Sequence, residues 1–207
     1  MQNKRFKYRY LLLLLLLSVV PQLQAKTIMV LGDSLSAGYG ISAQQGWVAL
    51  LDQRLQQQYP KKHRVVNASV SGETTSGAMA RLPKLLQTHR PDIVVIELGG
   101  NDALRGQPPQ LIQKNLKQLI QLSLNAHAQV VLVGMKIPPN YGKTYSTAFE
   151  NNYKILSQNY KNIDFLPFFL QGVAGHAKYM QKDQIHPNAL AQPILLNNIY
   201  PYIKGAL

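Results

Sequence analysis

Thr27-Ile28-Met29-Val30-Leu31-Gly32-Asp33-Ser34-Leu35-Ser36-Ala37-Gly38-Tyr39-Gly40 is the stretch that decides the fold. Its first five residues form a short run rich in β-branched and apolar side chains, with no polar alternation. A strand of that kind is buried on both faces, as happens when helices cover both sides of a parallel sheet. Gly32-Asp33-Ser34 then turns the chain toward a helix. Four more short runs follow: Val65–Asn67, Ile93–Leu98, Val130–Val133 and Ile163–Leu166. Between and after them lie longer amphipathic segments near Trp47–Gln58, Ala78–Thr88, Leu111–Ala126, Ser146–Tyr160 and Ala189–Tyr202. Leu111, Ile112, Asn115, Leu116, Leu119, Ile120 and Leu122 show the helical spacing of one buried face. The repeated strand–helix alternation predicts an α/β protein, a right-handed three-layer α/β/α sandwich around a mainly parallel five-stranded sheet.

The N-terminus reads differently. Lys4, Arg5, Lys7 and Arg9 precede an apolar run from Leu11 to Val20, Pro21 breaks that run, and Leu23-Gln24-Ala25 offers a cleavage point. This is the pattern of an export signal, and the run is much shorter than the ~20 apolar residues of a spanning helix. Residues 1–25 are therefore expected to be a signal peptide and 26–207 a single domain, exported to the periplasm or secreted. Cleavage after Ala25 leaves 182 of the 207 residues, ample for one core. The whole chain carries a net charge of +13; four of those charges belong to the leader, leaving +9. Such a charge attracts acidic groups such as phospholipids or acyl-CoA, and suits transient contact with a membrane surface. Lys and Arg are nevertheless scattered without a basic run, as on an ordinary solvated exterior. No motif supports nucleic-acid binding. The chain has no cysteine, so disulfides, thiolate catalysis and Cys-ligated metals are excluded.

In open α/β sheets the chemistry lies beyond the carboxyl ends of the strands. Strand one is followed by Gly32-Asp33-Ser34, strand two by Ser69-Val70-Ser71-Gly72-Glu73-Thr74, and strand three by Gly99-Gly100-Asn101-Asp102. The last loop holds Asp183-Gln184-Ile185-His186-Pro187. Nucleophilic catalysis needs a hydroxyl, a base to accept its proton, a group to orient the base and donors for the oxyanion. Taken singly, Ser34 reads as a helix cap, His186 as a loop histidine and Asp183 as a turn residue. Asp183 and His186 lie three positions apart on one loop, so a carboxylate reaches one ring nitrogen while the other faces the cleft. Asp33 and Asp102 compete for the orienting role, but Asp33 adjoins Ser34 and Asp102 has no local tie to His186. Gly72 and Asn101 are the candidate oxyanion donors. Leu104, Ile137 and Pro138 follow strands three and four on the same edge and are candidates for the wall of an acyl pocket. Tyr141 and Tyr145 read more readily as structural residues. His63, His89, His127 and His176 show no ligand spacing, and no metal or cofactor is expected.

Several rival motifs fail. There is no G-x-S-x-G, S-x-x-K or H-E-x-x-H. Gly142-Lys143-Thr144 ends like a phosphate-binding loop, but Ile137 stands where that loop requires glycine. Gly38-Tyr39-Gly40-Ile41-Ser42-Ala43 fits a dinucleotide pattern only loosely, and it begins beyond the strand end. Asn67-Ala68-Ser69 spells a glycosylation acceptor and carries little weight here.

GDSLSAGYG at 32–40, Gly72 in SGETTSG, GGND at 99–102 and DQIHP at 183–187 resemble the successive blocks of the SGNH hydrolase superfamily, in the same order. ELGGNDALRG (97–106), PPNYG (138–142), LPFF (166–169) and IHPNALAQP (185–193) further resemble the bacterial multifunctional acyl-CoA thioesterase I/protease I/lysophospholipase L1 family, also described as arylesterases. The resemblance implies a flavodoxin-like fold and periplasmic residence. It also implies Ser34 as nucleophile, His186 as base and Asp183 as its orienter, with an oxyanion hole of the Ser34 and Gly72 N–H groups and the Asn101 amide. The expected substrates are small-molecule esters, thioesters or lysophospholipids. Gln107-Pro108-Pro109 lies in a region that shapes acyl binding in the family, so chain length is not carried over. A non-catalytic exported lipid- or acyl-binding protein on the same fold is the reading from a different class.

Overall fold

The computed structural model describes residues 24–207, so the expected leader lies almost wholly outside the described residues. In chain order the elements are β1 (Thr27–Gly32), α1 (Ser34–Ala37), α2 (Trp47–Gln58), β2 (Arg64–Asn67), α3 (Thr75–His89), β3 (Ile93–Glu97), α4 (Gly100–Leu104), α5 (Pro109–Asn125), β4 (Gln129–Val133), α6 (Lys143–Asn159), β5 (Asp164–Leu166) and α7 (Gln192–Ala206). The strands form one parallel sheet in the order β2-β1-β3-β4-β5. That is the flavodoxin-like order, with its direction reversal beside β1. The register pairs Val30 with Val95 and Val95 with Val131 across the centre.

The sheet's residue types explain its position. Ile28 to Leu31 and Ile93 to Ile96 are fully buried, whereas the edge strand β2 is only partly covered. Helices α2 and α7 pack together, and α5 packs against both α3 and α6. Each fully buried Leu or Ile stabilises the fold by about 1.5–3 kcal/mol, which sets the register of the central strands firmly.

The structure departs from the sequence-based expectation in its short helices, in the last helix, and at the starts of α3 and α6, which begin at Thr75 and Lys143 rather than Ala78 and Ser146. The short helices α1 and α4 were not expected, because four or five residues are too few to show an apolar period. The last predicted helix, Ala189–Tyr202, begins as a separate 3₁₀ turn over Ala189–Ala191, where the Asn188 side chain accepts from the Leu190 N–H. From there α7 runs beyond Tyr202 because Ile203 and Ala206 are buried.

Candidate active site

The strand ends converge on one rim. Ser34 opens α1 immediately after β1, and the preceding Asp33 caps that helix by accepting from the Leu35 N–H at 3.0 Å. Gly32 makes this turn possible. A side chain there would run into the Glu97 carboxylate and the Ser36 side chain, at 2.7 Å.

From the last loop, His186 Nε2 reaches Ser34 Oγ at 3.0 Å, and His186 Nδ1 lies 2.6 Å from Asp183 Oδ2. The other Asp183 oxygen accepts from the Ile185 and His186 N–H groups, both at 3.0 Å. Burial acts to raise the Asp183 pKa, but these backbone and ring hydrogen bonds outweigh it and bring the group down to about 2. With the carboxylate ionised, the His186 proton belongs on Nδ1, leaving Nε2 to accept from the Ser34 hydroxyl. The arrangement is a continuous relay from carboxylate to imidazole to hydroxyl.

The competing carboxylates are engaged elsewhere. Asp102 is buried and accepts from the Thr75 N–H and hydroxyl at 2.9 and 2.6 Å, which anchors the start of α3. Asp33 is also buried, and its Oδ2 accepts from Asn101 Nδ2 at 3.1 Å. This contact fixes the flip of the Asn101 amide and leaves its second hydrogen free to face a ligand. Among the described residues, neither the Ser34 nor the Gly72 N–H donates to a protein acceptor. Gly72 is exposed on the loop after β2, and its carbonyl accepts from Arg105 Nη2 at 3.0 Å.

Beneath this surface lies a feature that residue spacing does not show. Glu97, at the end of β3, is fully buried. Its Oε2 accepts from the Asp33 N–H and from Ser36 Oγ, at 3.3 and 2.6 Å, while Oε1 has no partner. Burial, reinforced by the neighbouring Asp33, pushes the Glu97 pKa well above the carboxylate range. Burial likewise pushes Asp33 up to about 6, against the lowering effect of the Leu35 N–H and His186. Two carboxyl groups buried together hold at least one proton between them, and the more deeply enclosed Glu97 is the neutral member.

A pKa raised by folding lowers stability as pH climbs past the unfolded value, because the unfolded chain sheds the proton first. Glu97→Gln keeps the shape and removes that loss. The urea midpoint of the parent is expected to fall between pH 5 and pH 8 by more than that of the variant. A variant destabilised equally at both values would mean that Glu97 is needed as an ion.

Ser34, Asn101 and His186 open onto a cavity of about 650 Å³. Its wall includes Leu104, Ile137 and Pro138, together with Met135, Phe168 and Met180, which the sequence reading did not single out. Met135 shares the loop of Ile137 and Pro138, while Phe168 and Met180 come from later segments, so no periodic pattern marked them. Tyr141 and Tyr145 hold the Leu104 loop from behind, with their hydroxyls donating to the Leu104 carbonyl and to those of Ala103 and Gln107. His63 is buried against Tyr59, His89 contacts Arg64, and His176 contacts Tyr179; none of the three lines the cavity. Among the described residues, no group of three or more His, Asp or Glu is placed to hold a metal ion.

A flavodoxin-like sheet that presents a hydroxyl, an imidazole and a carboxylate in relay at its carboxyl edge, over an apolar cavity, defines a hydrolase class. The chain belongs to the GDSL-like lipase/acylhydrolase family, whose model matches residues 30–192. It is 47% identical over 194 residues to an esterase, TesA, of Pseudomonas aeruginosa, covering 94% of this chain and 96% of the relative. It is 42% identical over 193 residues to thioesterase 1/protease 1/lysophospholipase L1 of Escherichia coli, covering 93% and 90%. Its fold matches a crystal structure of the psychrotrophic esterase EstA from Pseudoalteromonas sp. inhibited by monoethylphosphonate. The TM-score is 0.82 at 41% identity, over 87% of this chain and 97% of that one.

Proposed function

We propose that the protein is an exported serine hydrolase that cleaves carboxylic esters and thioesters through an acyl-enzyme on Ser34. The observation that carries this reading is the unbroken relay Asp183–His186–Ser34 opening onto the apolar cavity. Ser34 Oγ attacks the carbonyl carbon as its proton passes to His186 Nε2. The oxyanion is received by the Ser34 and Gly72 N–H groups and the free hydrogen of Asn101, donors that act in the transition state. Collapse of the intermediate expels the alcohol or thiol, which takes the proton from His186. Water then repeats the sequence on the acyl-enzyme and frees the acid. The Asp33–Asn101 contact supports the role of Asn101, because it fixes the orientation of the amide and leaves one of its two N–H hydrogens for a ligand.

Substrates are aryl esters, lysophospholipids and acyl thioesters, in keeping with the names of the relatives. The leader at 1–25 directs the mature chain, 26–207, to the periplasm or the medium, where lysophospholipid is a more accessible substrate than acyl-CoA. Contact with the lipid surface is transient. An exported lipid carrier on the same fold would have no use for the relay.

A series of p-nitrophenyl esters from acetate to palmitate tests the reading. We expect an initial burst of one equivalent of nitrophenol per enzyme, the mark of an acyl-enzyme. kcat/KM should rise with chain length, since each methylene placed in the cavity contributes about 0.8 kcal/mol. Leu104→Ala should lower kcat/KM for the longer esters by roughly tenfold and leave acetate unaffected. Binding of long esters without turnover would favour the carrier. A steady fall from acetate onward would mean that the cavity does not receive the acyl chain.

A further inference from the structure

Asp183 and His186 are held together by their own turn, but Ser34 lies 152 positions away on another element. The loop that carries His186 is a small hairpin. Met180 pairs antiparallel with Pro187, the Gln181 N–H donates to the His186 carbonyl at 2.7 Å, and the Asn188 N–H donates to the Tyr179 carbonyl at 2.8 Å. These bonds shape the hairpin without deciding where it sits relative to α1.

Besides the reacting pair itself, the Gln181 side chain crosses that gap. Gln181 Nε2 donates to the Pro187 carbonyl at 3.0 Å, on the hairpin's second strand, and to the Tyr39 carbonyl at 2.7 Å, in the turn that follows α1. The Tyr39 N–H in turn donates to the Ser34 carbonyl at 3.1 Å. The Tyr39 ring lies over the His186 ring, with centroids 4.6 Å apart. Gly40, next in the chain, has a left-handed backbone with φ of 75°, and any side chain on Gly40 would run into the Gln181 amide. A neutral amide at the end of two methylenes satisfies both carbonyls at once, because its two hydrogens are committed to two acceptors.

We propose that Gln181 is a positioning residue that staples the His186 hairpin to the Ser34 turn and so sets the distance between hydroxyl and imidazole. The proposal rests on the reading of Ser34 and His186 as the reacting pair. A second brace keeps the hairpin folded without Gln181. Gln192 Oε1 accepts from the Trp47 N–H at 3.0 Å, and Gln192 Nε2 donates to the Asn188 carbonyl at 3.2 Å. Loss of Gln181 therefore loosens the reacting end while the far end stays anchored.

Two variants separate the staple from simple structural support. Gln181→Met preserves length and volume and removes both donors. Gln181→Glu turns a carboxylate oxygen toward two carbonyls, so it opposes the contact. A misplacement of about 1 Å between reacting groups costs roughly 10²-fold in rate. We expect Gln181→Met to lower kcat on p-nitrophenyl butyrate by about 10–10²-fold, with KM within about twofold of the parent. Fluorophosphonate labelling of Ser34 should slow in parallel, and Gln181→Glu should be slower still.

Unchanged kcat in Gln181→Met, or a raised KM at constant kcat, would each overturn the staple. Ser34→Ala separates the two levels. Near-parental kcat and fluorophosphonate labelling in Ser34→Ala would sink the functional reading itself. An inert Ser34→Ala beside a fully active Gln181→Met sinks the staple alone.

Discussion

Ser34→Ala is expected to lower kcat on p-nitrophenyl esters by roughly 10⁴–10⁶-fold and to abolish covalent labelling by a fluorophosphonate. The hydroxyl is the atom that would form the acyl bond, so no neighbouring group replaces it. Ser36 is close in sequence, but its Oγ donates to buried Glu97 at 2.6 Å and accepts from Trp47 Nε1 at 3.2 Å. It is thus directed into the core rather than the cavity. The fold should survive the change. Ser34 begins a helix whose cap is the Asp33 side chain, and alanine is the strongest helix former. Residual hydrolysis well above the uncatalysed rate would come from the oxyanion donors alone. Full labelling of the variant would place the nucleophile elsewhere.

Asp183→Asn carries the second large effect, a loss of about 10⁴-fold in kcat with little change in the urea midpoint. An asparagine oxygen still accepts from the Ile185 and His186 N–H groups, so the turn keeps its shape. What changes is the partner of His186 Nδ1. An amide NH₂ facing that nitrogen requires it to accept, which moves the ring proton to Nε2. Nε2 then donates toward Ser34 Oγ instead of taking its proton. Because Asp183 is ionised above about pH 2, loss of activity between pH 4 and 7 does not originate in this carboxylate. Its depressed pKa contributes stability that is present above the unfolded value and is lost only as pH falls toward 2. A variant retaining a tenth of parental kcat would show that His186 is oriented by something other than Asp183.

Much of this protein is written locally. The apolar runs at 28–31 and 93–96 specify strands buried on both faces, and with them a parallel sheet covered by helices. A parallel sheet in turn fixes which loops share a rim, so the blocks around Ser34, Gly72, Asn101 and His186 were legible as one group of candidates. The Asp183–His186 pair was legible as well, since three residues of a single turn determine its geometry.

The contacts that only the tertiary structure decided join residues with no local relation. Residue spacing does not mark Glu97 as buried. It is buried because β3 lies at the centre of the sheet, where the Asp33 N–H and Ser36, itself held by Trp47, meet its carboxylate. Asp33 looked like a rival for the imidazole until Asn101, 68 positions away, proved to be its partner. The cavity wall drew Met135, Phe168 and Met180 from loops far apart in the chain. Gln181 looked like one more polar loop residue, and it acquires a role only because Tyr39 arrives from 142 positions away. The sequence by itself determined the elements and the turns, whose interactions span a few residues. Burial, the pairing of distant carboxyls and amides, and the placement of one loop against another were decided by chain packing, because their partners meet only when the sheet has formed.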